Sequence, residues 1–196
     1  MIDSKKRRLI GHIAIALVTL GFAAALCAQQ SSAPSTPAPA ASVPAPEWKT
    51  YSYADEGFSA SFPSEPQFSK RDVPTEKGSF ELRTYLVELD PVAVFVGICD
   101  YGSATAGRDP DNVLQGAESG ALTNSNSHLI SDRKMTLGIY HGIAFEAESD
   151  SAHFSARIYY VGSTLYQTLV VYPIGKPYDG TARFLDSFQL IARTAK

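Results

Sequence analysis

The feature that most constrains the fold is a pair of alternating segments near the end of the chain, in residues 151–173. Apolar side chains recur at every second position from Phe154 to Tyr160, Gly162 opens a short break, and an apolar segment resumes through Tyr172. Alternation with period two, together with many β-branched and aromatic residues, predicts a β-hairpin.

The return strand of this hairpin is apolar on both faces. The two sets of side chains are Leu165, Leu169 and Val171 on one face, and Tyr166, Val170 and Tyr172 on the other. A strand that is apolar on both faces is typically covered on both sides. We therefore expect it in the middle of the sheet, and residues 92–99 predict a second buried strand by the same argument.

The first 28 residues have the composition of a secretory signal peptide. Four basic residues at 5–8 precede an apolar run that ends in small residues, which predicts cleavage after Ala28. An uncleaved anchor is the alternative, because the run approaches the roughly 20 residues that span a bilayer. A lipoprotein is a third possibility, since Cys27 ends the run, although Leu26 stands where a small residue is expected.

Residues 29–46 consist mainly of Ser, Ala, Pro and Gln. This composition offers too little apolar surface to offset the entropy of ordering, so it predicts a disordered linker. Five prolines favour extended, polyproline-like segments that hold the rest of the chain away from the N-terminal segment. We expect a single α+β domain over residues 47–196.

The charge of the exported part argues against nucleic-acid binding. The chain has 17 basic and 20 acidic side chains, four and one of which fall in residues 1–28, so the remainder has 13 and 19 and a net charge of about −6. Nucleic-acid binding requires a basic surface. If Cys27 leaves with a signal peptide, Cys99 has no partner for a disulfide, and the fold must rely on its core.

The order of the remaining elements indicates the fold class. Alternating or apolar segments at 58–62, 67–73, 80–89 and 92–99 precede a helix that Asp109 caps and Pro110 begins. Three further extended stretches, the last of them the hairpin, and a short helix ending near Asp186 complete the chain. This order of elements, with strands first, then a helix, a run of antiparallel strands and a terminal helix, predicts an α+β fold. We expect the helices to pack on a mostly antiparallel sheet.

Short segments of the chain resemble small exported bacterial proteins of the PsbP-like class. The segments are residues 57–63 (GFSASFP), 157–160 (RIYY) with the strand that begins at Leu165, and 184–188 (FLDSF). The resemblance covers roughly residues 48–192 and implies a three-layer α-β-α sandwich. Members of that class serve as extrinsic subunits or assembly factors, or have no known role, so it implies no set of catalytic residues.

Cys99 is the first candidate for chemistry. A nucleophilic cysteine requires a nearby histidine or helix N-terminus that lowers its pKa. His128, His141 and His153 are available in the chain, but nothing in the sequence places one of them beside Cys99. We expect Cys99 to be a small apolar residue of a buried strand. The three histidines are expected in turns or on the surface, and Arg157 is expected to be exposed.

Other site patterns have simpler explanations. Asp109 and Asp111 could suggest a calcium loop, but the twelve-residue pattern with its glycine and final glutamate is absent, and helix capping accounts for them. Phosphate-binding glycine loops are also absent. We therefore expect no metal and no cofactor. Three tyrosines around the hairpin are candidates for a binding surface, because tyrosine is frequent at interfaces: Tyr159, Tyr166 and Tyr172.

Two functional hypotheses arise from these patterns. The first is an exported, non-catalytic binding or accessory domain of the bacterial cell envelope, periplasmic or secreted, whose partner is an envelope protein or a small apolar ligand. The second is an envelope hydrolase that uses the thiol of Cys99 with a histidine. Accessibility of Cys99 to thiol reagents distinguishes them.

Overall fold

The computed structural model describes residues 47–75 and 78–194. The predicted signal peptide (1–28), the linker (29–46) and part of the predicted turn at 74–78 lie outside these residues. In chain order the elements are β1 (Lys49–Tyr53), β2 (Phe58–Phe62), β3 (Gln67–Thr75), β4 (Gly78–Glu88), β5 (Ala93–Asp100), α1 (Pro110–Asn124), β6 (His128–Leu137), β7 (Tyr140–Glu148), β8 (Ala152–Val161), β9 (Thr164–Pro173), α2 (Thr181–Ser187) and β10 (Gln189–Leu190). A 3-10 turn, Gly102–Thr105, precedes α1.

Seven strands form one antiparallel sheet in the order β3-β4-β5-β9-β8-β7-β6. The predicted hairpin is β8–β9, and β9 is the fourth strand of the seven, as its two apolar faces indicate. β5 lies directly beside it, with Phe95 opposite Leu169. The expectation of a mostly antiparallel sheet with helices is therefore confirmed.

Helix α1 covers one face of this sheet. Leu114, Ala117 and Ala121 lie at helical spacing on its buried side and contact the side chains of β7 and β8. The face they cover includes Leu165 and Leu169 of β9, as the alternation in the sequence predicts.

A second, small sheet and α2 cover the opposite face. The small sheet has the order β1-β2-β10, and its central strand buries Phe58 and Phe62. Phe184 of α2 packs against Phe62, and Phe188 stacks on Tyr159 of the large sheet with ring centroids 5.5 Å apart. Strand β1 is not predicted by the sequence pattern, although the domain was expected to begin there.

The predicted start of α1 is confirmed. The Asp109 carboxylate accepts hydrogen bonds from the backbone amides of Asp111 (2.9 Å) and Asn112 (3.1 Å), and Pro110 is the first helical residue. Asp111 forms an ion pair with Lys134, and its Oδ1 lies 2.9 Å from Nδ1 of His141, both on the β6–β7 hairpin. The first turn of α1 is thereby attached to the edge of the sheet.

Two expectations about exposure are wrong. Arg157 is largely buried, because its guanidinium donates to the Leu185 carbonyl oxygen at 3.0 Å and to the Asp186 carboxylate in the last turn of α2. His153 is also mostly enclosed, between two carboxylates and a tyrosine ring. Both residues lie on the polar side of β8, which was expected to face solvent and which α2 partly covers.

Candidate functional site

Cys99 lies buried in the seven-stranded sheet. The side chain is 4% exposed, and its cross-strand neighbours are Leu82 on β4 and Leu165 on β9. Burial raises the pKa of the Cys99 thiol to about 12 and outweighs the opposing effect of Arg83 and Arg71. Because the thiolate is the reactive form, this environment agrees with a structural cysteine.

The three candidate tyrosines do not form a common surface. Tyr159 and Tyr166 are each 2% exposed, and both rings contact Phe188. Tyr172 is partly exposed and stacks on His153, with ring centroids 4.8 Å apart. The expected tyrosine interface is therefore wrong for two of its three members, although the hydroxyl of Tyr166 reaches an open groove.

This groove has a volume of about 400 Å³ and lies at the end of the hairpin. The β8–β9 turn, with Ser163, and the segment after β10, with Ile191, both line it. The segment after β10 is attached by its backbone, since the Ile191 amide donates to the Gly57 carbonyl oxygen at 2.9 Å and the Thr194 amide donates to that of Ala54 at 3.2 Å.

Arg193 provides a positive charge in the groove. Its Nη2 donates to the Tyr166 hydroxyl at 2.8 Å, and that hydroxyl donates to the Glu56 carbonyl oxygen at 2.7 Å. The Arg193 side chain lies over Gly57, which has φ +79°, and a Cβ there would come within 2.8 Å of Arg193 Cγ. Gly57 thus permits both the turn and the close approach of the arginine.

The turn that supports Arg193 is itself anchored. Glu56 forms an ion pair with Arg83 of β4, with 2.8 Å between Oε2 and Nε, and both side chains are mostly buried. The guanidinium of Arg193 is therefore attached, through Tyr166 and Glu56, to the central sheet and the turn before β2.

Asp100 provides a negative charge in the same groove. Its Oδ1 accepts hydrogen bonds from the Gly102 amide (2.9 Å) and the Ser163 hydroxyl (2.8 Å). Asp100 lies directly opposite Thr164 in the strand register, and Thr164 Oγ1 is 3.5 Å from Arg193 Nη2. Arg193 and Asp100 thus both lie beside Thr164. Within residues 47–75 and 78–194, neither of the two forms an ion pair, either with the other or with a third group.

A separate polar cluster surrounds His153 on β8. The ring places Nε2 at 2.8 Å from Glu146 Oε2 and Nδ1 at 3.0 Å from Glu148 Oε1, while Ser155 donates its hydroxyl hydrogen to Glu146. Carboxylate oxygens only accept, so the arrangement favours the doubly protonated imidazolium. Ser155 is buried and bonded to a carboxylate, so this cluster does not have the nucleophile–base geometry of a serine hydrolase.

Metal-ligating side chains do not cluster in the described part of the chain. No three His, Cys, Asp or Glu side chains converge there in a way that could hold a metal ion. No helix in the same residues combines the length and the apolar character needed to cross a membrane.

Asp100 and Arg193 were not predicted as site residues from the sequence. Neither belongs to a motif, and the groove joins the end of β5, the β8–β9 turn and the segment after β10. The available indications were Gly57 and Tyr166, which belong to the segments that carry the family resemblance.

Comparison with known proteins identifies a likeness in fold. No protein-family model matches the chain, and no curated protein matches its sequence. The solution structure of cyanobacterial PsbP (CyanoP) from Synechocystis sp. PCC 6803 is similar at a TM-score of 0.47 and 16% identity, over 76% of this chain and 96% of that chain. The predicted PsbP-like resemblance is thereby confirmed, and it concerns the fold alone.

Proposed function

We propose that this protein is an exported, non-catalytic binding domain of the bacterial cell envelope and that the groove beside Thr164 is its ligand site. The observation that carries the proposal is the unpaired Arg193 and Asp100 within one concave surface. A groove of about 400 Å³ has the size of small-molecule sites, which commonly combine apolar walls with a few placed polar groups.

Binding explains the arrangement of side chains better than catalysis does. The groove contains no cysteine or histidine, Cys99 is buried in the core, and Ser155 and His153 are bound to carboxylates elsewhere. The alternative hypothesis of a thiol-dependent hydrolase has no support in this geometry. The charged groups of the groove also favour a ligand with polar groups over the apolar ligand expected from sequence.

Export rests on the sequence before the domain. Residues 1–28 have the basic and apolar segments of a signal peptide, and residues 29–46 have the composition of a linker between it and the domain at 47–196. Periplasmic or secreted location results if the peptide is cleaved, and membrane attachment results if it is retained.

The PsbP-like α-β-α sandwich is also part of this proposal. Its support is that α1 and α2 contact opposite faces of the seven-stranded sheet. The small sheet shares the α2 side, and it provides Gly57 and the turn on which Arg193 lies.

Export is tested by intact-mass measurement of the protein from fractionated cells. Cleavage predicts a mature chain that begins near Gln29 in the soluble envelope or medium fraction. A mass that retains residues 1–28 in the membrane fraction replaces the secreted form with an anchored one, and an uncleaved chain in the cytoplasm contradicts export.

Ligand binding at the groove is tested by photocrosslinking in intact cells. A benzophenone-bearing amino acid replaces Ile191 in the groove. The control position is Ser151, in the exposed turn before β8, because the groove lies at the opposite end of β8. An added mass of defined size at position 191 alone supports the proposal. Equal adducts at both positions, or none at 191, contradict it.

A further inference from the structure

Arg193 and Asp100 are opposite charges that share one groove and do not neutralise each other. We propose that the groove binds a small zwitterion, a molecule with both a free carboxylate and a free ammonium group. The carboxylate pairs with Arg193 and the ammonium with Asp100. This inference rests on the proposed function, because it names the ligand class of the same groove.

The arginine has donors available for a carboxylate. A guanidinium carries five N–H donors, and among the described residues the hydrogen bonds of Arg193 come from Nη2 alone, to Tyr166 and Thr164. Tyr166 fixes the position of the guanidinium before a ligand arrives, which lowers the entropy lost on binding. The remaining donors suit the two oxygens of a carboxylate.

The aspartate has an acceptor available for an ammonium. Both hydrogen bonds to Asp100 go to Oδ1, from Gly102 and Ser163, and Oδ2 has no hydrogen-bond partner among the described residues. Two donors on one oxygen hold the carboxylate in place and leave the other oxygen free. An ammonium group beside Oδ2 would donate a charge-assisted hydrogen bond to that oxygen.

The groove also has an apolar part. Val161 and Ile191 contribute aliphatic side chains to its walls, so the carbon skeleton between the two charged ends has a surface to contact. Free amino acids and short peptides both combine these features. The shared chemistry is the pair of termini, and the experiment separates the two sources.

The probes are alanine and a matched series of trialanine peptides. The series contains the free peptide, the N-acetyl form, the C-terminal amide and the doubly blocked form, and titration calorimetry on the mature protein measures Kd. Each blocked terminus should weaken binding roughly tenfold, since a hydrogen bond to a charged group is lost. Alanine and free trialanine distinguish an amino-acid site from a peptide site.

Variants assign each terminus to its residue. Arg193→Gln should weaken the free peptide roughly tenfold and remove the difference between the free peptide and the amide. Asp100→Asn should also weaken the free peptide roughly tenfold, and it should remove the difference between the free peptide and the N-acetyl form. The amide oxygen of the asparagine still accepts from Gly102 and Ser163. The controls are Arg108→Gln and Asp150→Asn, which make the same charge changes at exposed positions outside the groove and should leave Kd unchanged.

The outcomes separate this inference from the function on which it rests. The zwitterion site is supported if the free peptide binds more tightly than the doubly blocked one. In addition, Arg193→Gln must remove the effect of the C-terminal amide, and Asp100→Asn must remove the effect of N-acetylation. Equal binding of all four peptides, or no binding of alanine and trialanine, overturns it. A groove-specific photoadduct would then leave the proposed function intact with another ligand. Arg193→Lys, which keeps the charge, should bind more tightly than Arg193→Gln, and circular dichroism confirms that each variant is folded.

Discussion

Arg157 on β8 forms an ion pair with Asp186 in the last turn of α2, so a residue of the central hairpin binds the end of the helix that covers it. The same guanidinium donates to the Leu185 carbonyl oxygen, one of the groups that a helix leaves unsatisfied at its C-terminus. A cation at this position also complements the helix dipole.

Arg157→Ala should therefore lower the free energy of unfolding by about 1–3 kcal/mol, because the helix end loses a charged donor and the side chain loses packing. Chemical denaturation measures this change. Arg108→Ala is the control, since Arg108 is exposed before α1, and it should cost less than about 0.5 kcal/mol. Equal effects of the two substitutions would show that the contact with α2 adds nothing to stability.

Leu169 provides a test of the central strand. It is 1% exposed on β9 beneath α1, so Leu169→Ala should cost about 2–5 kcal/mol through lost burial and the cavity that remains. Leu169→Asp should be worse, because it places an unpaired charge in the core.

The matched control is Ile139, which is 86% exposed in the β6–β7 turn. Ile139→Ala should change the free energy of unfolding by less than about 0.5 kcal/mol. A cost at Leu169 as small as that at Ile139 would mean that β9 is not part of the core.

The elements that local periodicity defines were predictable from the sequence. Alternation at residues 154–160 and 165–172 correctly assigned both faces of β9 and the apolar face of β8, because side chains of a strand point alternately to its two sides. Asp109 and Pro110 likewise placed the start of α1, since capping depends on neighbouring residues.

Features that depend on which element covers a face were not predictable in this way. Arg157 belongs to a polar face by sequence, and its burial results from α2, whose Asp186 is 29 residues further along the chain. Glu118 is an acidic residue on the buried side of α1. Its pKa is raised, mainly by burial and to a lesser extent by repulsion from Asp132. The groove brings together Asp100 and Arg193, which are separated by most of the domain and belong to no motif.

Asp109 tests the helix start. Asp109→Ala leaves two amides of the first turn without their acceptor and should cost roughly 0.5–2 kcal/mol of stability in chemical denaturation. Asp150→Ala removes the same charge from an exposed turn and should change stability by less than about 0.5 kcal/mol. A similar, small cost at both positions would show that the capping bonds are not stabilising.

The Cys99 thiol should be unreactive in the folded protein. In a Cys27→Ser background, Cys99 is the one remaining cysteine, and burial with a pKa of about 12 leaves almost no accessible thiolate at neutral pH. A chromogenic thiol reagent should react with it only after denaturant is added. Ile139→Cys in the same background provides an exposed control that should react at once. Comparable rates at the two positions would show that the Cys99 thiol is accessible and would support the thiol-dependent hydrolase.

His153 should make stability depend on pH in a defined direction. The side chain is 18% exposed, and burial lowers its pKa, but the hydrogen bonds to Glu148 and Glu146 together outweigh burial and raise the pKa above 6.5. A histidine whose pKa is higher in the folded than in the unfolded state binds its proton more tightly when folded. Its stabilising contribution is therefore complete below about pH 6.5 and is lost as the pH rises through the folded value.

The wild-type protein should thus lose more stability than His153→Gln when chemical denaturation is repeated at about pH 6 and about pH 8.5, a range that begins near the unfolded pKa. His128→Gln is the control, because it removes an imidazole from an exposed position at the start of β6. An NMR titration of the His153 ring measures the raised pKa directly. Identical pH profiles for wild type and His153→Gln, or a ring that titrates below about 6.5, would show that Glu146 and Glu148 do not hold the imidazolium.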